Sequence, residues 1–314
     1  MRSVLLVLLA AALFGTTGTA QALGAPDADP VSVGAARLLL GGTALALVAV
    51  ISSRRRPPHT APGSASGVGH TTVVVVGALA VVAYQPTFFA GVDRNGVAVG
   101  TLIALGTAPL ATGALSWATT RAFPGVRWSV ATLLSVAGLV WLTGAGPGTR
   151  EGVDAVGLAA SLSAGLSYAV YAVCSKRLLD DGWSPSKTMG TLFGAGALGT
   201  IPLVLFSDTT WIVTASGLTT VLWLGLATVL VAYLLFASGL RGLTAPVVAT
   251  LTLAEPLVAS ALGIIVLGES PSLRVWIGVG VIVAGMIVLV GGSSPSSRSR
   301  RGQGPGANEA INTY

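Results

Sequence analysis

Two charged residues lie inside long apolar stretches of the sequence, and they are the first candidates for chemistry. Glu255 falls between Leu-Ala and Pro-Leu, and Arg37 between Ala-Ala and Leu-Leu. A carboxylate in apolar surroundings can bind a substrate amine or carry a proton, and a guanidinium can bind a substrate carboxylate. A structural role stays open for each: Glu255 could satisfy neighbouring helices or be protonated, and Arg37 could extend its stem to lipid headgroups or pair with a helix.

Uncharged polar side chains in other apolar stretches could line a cavity. Tyr84 and Gln85 precede Pro86, and Tyr168 and Tyr171 are three residues apart, which places them on one helix face. Trp141 and Tyr233 belong to the same class. For each aromatic residue alone, packing or a place in an interfacial belt is the competing interpretation. Breaks or kinks are predicted at three prolines of these stretches, Pro86, Pro109 and Pro256.

The signatures of enzymes and ATP-driven pumps do not occur in the sequence. It has no Walker A pattern, no paired-carboxylate active site and no cluster with metal-ligand spacing. The one cysteine, Cys174, excludes a disulfide within the chain, and we interpret it as a packing residue. We therefore expect no enzymatic activity, no cofactor and no metal.

The elements that hold these residues are predicted to be membrane-spanning helices. Of the 314 residues 53% are hydrophobic and 9% are charged, whereas soluble domains carry roughly 25% charged residues. A span needs about 20 mostly apolar residues. Ten runs meet that length: 3–21, 31–51, 71–91, 96–118, 127–145, 153–174, 187–206, 216–238, 243–267 and 273–291.

The connecting segments complete the predicted organisation. Residues 52–70 form the longest internal loop, in which His59 and His70 are interpreted as solvated side chains. Residues 292–314 are rich in Ser, Gly and Arg and are predicted to be a disordered tail. The first span also has the features of a cleavable signal peptide, a less favoured alternative because its removal would leave an odd number of helices.

The distribution of basic residues predicts the orientation. With the first residue in the cytoplasm and Arg37 left out as intramembrane, only Arg94, Arg150 and Arg274 fall outside, and the other 13 Lys and Arg residues fall inside. Both termini are then cytoplasmic. The net charge of +6 is explained by these clusters at the membrane surface, so no nucleic-acid partner is expected.

An internal repeat relates the two halves of the chain. A shift of 147 residues aligns Arg94 with Arg241, Pro109-Leu with Pro256-Leu, and Pro124 with Pro271. Residues 1–145 and 153–291 are therefore predicted to be two five-helix repeats. Because five is odd, the second repeat enters the membrane from the opposite side, as in inverted-repeat transporters whose substrate site lies between the halves.

The chain resembles the EamA-like branch of the drug/metabolite transporter superfamily over nearly its whole length. The likeness lies in Ala12-Leu-Phe-Gly15, Ala36-Arg-Leu38, Pro109-Leu110 and, most specifically, Ala254-Glu-Pro-Leu257, Leu267-Gly-Glu269 and Trp276-Ile-Gly278, with Gly285. The resemblance implies ten helices, two EamA repeats, and export or exchange of small metabolites such as amino acids without an enzymatic activity or a bound cofactor. Ala108 and Ala122 stand where the second repeat has Glu255 and Glu269, so the halves are not expected to bind equivalently.

The resulting hypothesis is a multi-pass secondary transporter of the cell membrane, an exporter of small polar metabolites that works by alternating access. Its expected partners are a small-molecule substrate, protons through Glu255, and the lipid bilayer. Three alternatives remain open: an uptake or exchange permease, translocation of lipid-linked sugars, and a membrane protein that does not transport, such as a lipid-modifying enzyme or an assembly partner.

Overall fold

The structure is a computed structural model that describes residues 1–54, 67–143 and 154–291. Helices account for nearly all of these residues, and no strand occurs among them. Many large apolar side chains are exposed on the outside of the bundle, as hydrocarbon surroundings permit. Together with the length and hydropathy of the helices, this confirms the prediction of an all-α integral membrane protein.

The helices, labelled here in chain order, follow the predicted spans within a few residues. They are α1 (Arg2–Gly24), α2 (Pro30–Arg54), α3 and α4 (the two parts of Gly67–Thr120 on either side of Gly96), α5 (Val126–Thr143), α6 (Ala155–Asp180), α7 (Pro185–Phe206), α8 (Ala215–Leu240), α9 (Ala245–Ile265) and α10 (Leu273–Val290).

The chain reverses direction at Gly96, between α3 and α4. Its φ of 76° and ψ of 159° are non-helical, and a positive φ of this kind favours glycine. A Cβ atom on Gly100 would lie 2.7 Å from the Cα of Val92, which a continuous helix would hold about 12 Å away. In the described ranges, nine helices are long and apolar enough to cross a membrane. One of the nine, Gly69–Thr120, contains the reversal at Gly96 and thus two of the ten predicted spans. The number of ten crossings stays a prediction, which the reversal supports.

Antiparallel helix pairs join the two halves of the chain through close contacts of small residues. In α2 and α7, Gly42 contacts Ala197 while Gly190 contacts Ala49, so the residue numbers run in opposite directions. The pair of α5 and α10 is similar: Gly138 contacts Ile282, and Gly278 contacts Leu142. Small residues let backbones approach closely where hydrocarbon gives no hydrophobic driving force for association.

Two further pairs, α3 with α6 and α1 with α8, have the same antiparallel arrangement. Gly77 of α3 contacts Cys174 of α6, and Gly91 contacts Ser161. In α1 and α8, Gly239 contacts Val7, and Thr16 accepts a hydrogen bond from Trp223. If α1–α5 are matched in order with α6–α10, the pair α3/α6 corresponds to α8/α1.

The two ends of the bundle are named here for a residue at each. The Asp93 end carries Asp29, Asp154 and Asp208, and the Arg241 end carries Met1, Arg54 and Asp181. Most of the predicted loop 52–70 and the whole predicted tail 292–314 lie outside the described residues, as do His59 and residues 144–153. His70, described at the start of α3, contacts Asp181 at 3.2 Å rather than solvent alone.

Candidate functional site

A cavity of about 1010 Å³ lies inside the bundle. Eight helices contribute to its wall, and α5 and α10 contribute none of its lining residues. A volume of this size is at the upper end of small-molecule sites in proteins. The cavity can therefore hold a metabolite together with water.

The cavity reaches the Asp93 end and stops before the Arg241 end. Gln21, Asp29, Asp93 and Gly96 line its mouth. No described residue from the ends of α1, α8 or α9 nearest Arg241 lines it. The structure thus shows a cavity open toward one end of the bundle.

Arg37 and Glu255 both line this cavity. Each is partly buried, and no ion pair within 4.0 Å in the described part of the chain includes either residue. The Arg37 Nε atom is buried without a hydrogen-bond partner among described residues, and its Nη1 lies 3.5 Å from the Thr17 hydroxyl, at the limit of a hydrogen bond. The two opposite charges are therefore available to a ligand.

The other predicted site residues are also brought to this cavity. Tyr84, Gln85 and Pro86 of α3 and Tyr168 and Tyr171 of α6 all line it. The Tyr168 hydroxyl is 3.0 Å from the Thr252 hydroxyl, and the Tyr171 hydroxyl is buried. Hydroxyl and amide groups are thus placed in the cavity wall beside the two charges.

The three prolines behave differently from one another. Pro86 and Pro109 lie within α3 and α4, and the backbone stays helical around each. Each proline leaves the carbonyl four residues before it, Val82 or Leu105, without its helical N–H donor, and the Thr87 and Thr112 hydroxyls donate to other carbonyls, Ala83 and Ala108. Pro86 lines the cavity, and Pro109 is buried away from it.

The helix is irregular next to Pro256. A 3₁₀ turn, Thr252–Ala254, interrupts α9, and helical structure resumes at Glu255–Ile265 with Pro256 in the first turn. A second irregularity is the π-helical stretch Trp223–Val231 of α8. Thr252, Glu255 and Val229 line the cavity, so both irregular segments form part of its wall. Such segments are uncommon and frequently lie at functional sites.

A cluster of aromatic rings at the inner end of the cavity includes two residues that sequence reasoning did not select. Phe14 and Phe193 line the cavity with Tyr171 and Tyr233. Ring centroids are 4.0 Å apart for Phe193 and Tyr233 and 5.1 Å apart for Phe14 and Tyr233. An aromatic residue alone predicts packing or an interfacial belt, so the sequence has no local signal for these two. Trp141, by contrast, is exposed and lies away from the cavity.

Polar contacts connect the two halves at both ends of the bundle. At the Asp93 end Arg94 lies 3.5 Å from Asp154, and the Ser32 hydroxyl donates to the Asp208 carbonyl at 2.6 Å. Hydrogen bonds from the hydroxyl and backbone N–H of Thr210 lower the pKa of Asp208. At the Arg241 end His70 lies 3.2 Å from Asp181.

Comparisons with known proteins agree on the class of protein. The model of the EamA-like transporter family matches residues 1–144 and 155–291. The chain is 39% identical over 285 residues to the uncharacterized transporter YwfM of Bacillus subtilis (strain 168). The aligned region covers 91% of this chain and 92% of that protein. A solved crystal structure of a protein superposes with a TM-score of 0.74 at 21% identity, covering 92% of this chain and 96% of the other, and this likeness shows the fold alone.

Proposed function

Because this chain belongs to the EamA-like transporter family, we propose that it is a secondary transporter that exports small polar metabolites such as amino acids. The observation that carries the proposal is a cavity of about 1010 Å³ in which the Arg37 guanidinium and the Glu255 carboxylate lie inward of the mouth residues Asp29 and Asp93, without an ion pair between them among the described residues. A charge buried without a counter-ion is costly in a membrane protein. A substrate that carries both signs of charge would supply both counter-ions.

The two charges favour a zwitterionic substrate in a defined orientation. Its carboxylate would bind the planar guanidinium of Arg37, and its ammonium group would bind Glu255. Tyr84, Gln85, Tyr168 and Tyr171 would surround the rest of the molecule with hydroxyl, amide and ring surfaces. Glu255 would also be the group that takes up a proton when transport is coupled to a proton gradient.

Alternating access would come from two inverted repeats, residues 1–145 and 153–291. The helix pairs support this arrangement, because α2/α7 and α5/α10 are antiparallel and α3/α6 corresponds to α8/α1. The contacts of α1 and α6 agree: a Cβ on Gly15 would meet the Glu255 carbonyl of α9, and a Cβ on Gly165 would meet the Ala104 carbonyl of α4. Rocking of two such halves would close the cavity at one end and open it at the other.

The proposed location is the cell membrane, with the Arg241 end and both termini in the cytoplasm. The excess of Lys and Arg in the loops of that end supports this orientation. The cavity is then open to the outside, the state from which an exporter would release its substrate. We propose no enzymatic activity for the chain.

A counterflow assay in proteoliposomes tests the proposal. Vesicles that contain the purified chain are loaded with an unlabelled amino acid mixture. They are then diluted into buffer that contains a trace of one labelled amino acid of that mixture. We expect labelled amino acids to accumulate above the level of empty vesicles, and Glu255→Gln to reduce that accumulation to near that level. Asp27→Asn is the control, because it removes a carboxylate charge in the same way at an exposed residue that does not line the cavity.

The same assay separates the alternatives. Accumulation of nucleosides, sugars or cationic drugs, but not of amino acids, would contradict the proposal of a zwitterionic substrate. It would still support a transport function. Accumulation of none of these compounds by a folded protein would favour a membrane protein that does not transport. Uptake and export differ in the direction of net flux in oriented vesicles.

A further inference from the structure

Three aromatic rings from three helices close the cavity toward the Arg241 end. Tyr171 of α6, Phe193 of α7 and Tyr233 of α8 all line the cavity. Their ring centroids lie 4.0 Å (Phe193 and Tyr233), 5.9 Å (Tyr171 and Phe193) and 6.2 Å (Tyr171 and Tyr233) apart. These three residues are called the aromatic floor below.

Behind the aromatic floor the bundle is fully packed. Phe236, one turn along α8 from Tyr233, has no exposed surface and does not line the cavity. Its ring centroid lies 6.1 Å from those of both Tyr171 and Tyr233. Ala237 and Leu240 continue this packed layer without exposed surface. The aromatic floor is therefore the last layer in contact with the cavity.

Polar atoms without partners lie along α6 and α7 from the floor toward the Arg241 end. In the described residues the hydroxyls of Ser175 and Thr188 are buried and have no hydrogen-bond partner. Ser175 is one turn beyond Tyr171 in α6, and Thr188 is about one turn beyond Phe193 in α7. A buried hydroxyl without a partner costs free energy that water would recover. These groups would gain partners if water reached this layer.

The segment that carries Tyr233 has an irregular backbone. The π-helical stretch Trp223–Val231 ends two residues before Tyr233, in the same helix. A shift of hydrogen-bond partners within such a stretch rotates the residues that follow it. Such a shift would move Tyr233 away from Phe193 together with the rest of the segment Ala232–Leu240.

We propose that the aromatic floor is the gate of the transport path at the Arg241 end, and that the path beyond it runs past Ser175 and Thr188. This inference rests on the proposed transport function, because a gate has a role only where the cavity opens alternately to both ends. In the state seen here the rings of Tyr171, Phe193 and Tyr233 hold the gate closed. When Tyr233 turns away, water and substrate reach the hydroxyls behind it.

Water access to Ser175 tests the gate. The reporter is Ser175→Cys in a Cys174→Ser background, a near-isosteric change at a residue behind the floor. The purified chain is placed in lipid nanodiscs, where both ends are accessible, and its reaction rate with a membrane-impermeant methanethiosulfonate is measured. Labelling requires neither a known substrate nor a known orientation.

Phe193→Ala and Tyr233→Ala are each expected to raise the labelling rate of this reporter at least about tenfold, because a closed gate leaves an open state only about 0.1–10% populated. Phe88→Ala is the matched control, since Phe88 also lines the cavity but lies outside the floor. Size-exclusion profiles equal to that of the parent protein verify that the variants are folded.

Labelling rates of both floor variants equal to that of Phe88→Ala would overturn the proposal. The outcome is distinct from a failure of the transport function. A chain that moves no amino acid in counterflow but shows the expected labelling has the gate without the proposed substrate. A chain that transports amino acids but shows equal labelling has the proposed function with a different gate.

Discussion

Glu255 combines three structural features. It lines a cavity, it follows a 3₁₀ turn, and it precedes a proline. The helical hydrogen bonds around it are therefore incomplete, and its carboxylate has no cationic side chain within ion-pair distance in the described structure. A purely structural carboxylate would be expected to have a partner on a neighbouring helix.

Replacing Glu255 by Gln keeps the shape of the side chain and removes its charge. A hydrogen bond to a charged group contributes about 1.5–3 kcal/mol, so we expect the half-saturating amino acid concentration in counterflow to rise about ten- to hundredfold. The exposed Asp27→Asn, away from the cavity, should leave it unchanged. An equal value for both variants would remove Glu255 from substrate binding and leave it a structural role.

Two substitutions of Arg37 distinguish substrate binding from snorkelling, in which the side-chain stem extends to the lipid headgroups. Arg37→Lys keeps a charge on a long stem, which suffices for snorkelling, but loses the planar fork that binds a carboxylate in two places. We expect Arg37→Ala to raise the half-saturating amino acid concentration about tenfold or more, as loss of a charged hydrogen bond implies. Arg37→Lys should restore only part of the lost affinity. Full recovery by lysine would indicate the headgroup interpretation.

Sequence reasoning selected the charged residues and the tyrosines that line the cavity but not its phenylalanines. A charge inside an apolar run is unusual, so Arg37 and Glu255 stand out without any structure. Phe14 and Phe193 do not, since phenylalanine in a membrane helix is ordinary, and only the folding of α1, α7 and α8 around one space brings these rings to Tyr233.

At the scale of helices, glycine contacts decide how closely the two halves approach. Gly138 of α5 faces the backbone of α10, where a Cβ would lie 2.7 Å from the Ile282 nitrogen and 2.9 Å from the Gly278 carbonyl oxygen. Backbone atoms cannot turn aside as a flexible side chain can. The α5/α10 pair thus depends on the absence of a side chain at this position.

Gly138→Ala should therefore destabilise the folded protein. Overpacking of this kind costs about 1–3 kcal/mol, and we expect a lower Tm in detergent, measured by the loss of monomeric protein on heating. Gly280→Ala is the control within the same helix pair, because Gly280 is exposed and nothing lies within 4 Å of its Cβ position. Alanine favours a helix over glycine by about 1 kcal/mol where there is room for its Cβ, so Gly280→Ala should not lower the Tm. An equally low Tm for both variants would contradict the role of the Gly138 contact.

The helices themselves were predictable from apolar length, because a spanning helix must satisfy its backbone internally over about 20 residues. The irregular segments within these helices were harder to predict from the sequence. The helix continues on both sides of Pro86, because whether a proline breaks a membrane helix depends on the neighbouring helices as well as on the residue type. The π-helical stretch Trp223–Val231 contains no residue pattern that predicts it.

At the scale of the whole molecule, the antiparallel pairing of α2 with α7 and of α5 with α10 is what two inverted repeats require. The 147-residue shift suggested that relation through a few aligned arginines and prolines. The cavity could not be derived in the same way, because its mouth and its floor depend on the state in which the halves are packed. In this state the cavity is open only at the Asp93 end.

The most direct measurement of this arrangement is the sidedness of two positions in intact cells. In a Cys174→Ser background, Ser52→Cys reports on the end of α2 and Asp208→Cys on the loop that follows α7. Asp208 contacts Ser32 at the start of α2, so Ser52 lies about 30 Å away along that helix.

We expect an impermeant thiol reagent to label Asp208→Cys from outside and Ser52→Cys only after the membrane is permeabilised. Labelling of both positions from the same side would contradict the inverted repeats and, with them, alternating access through this cavity.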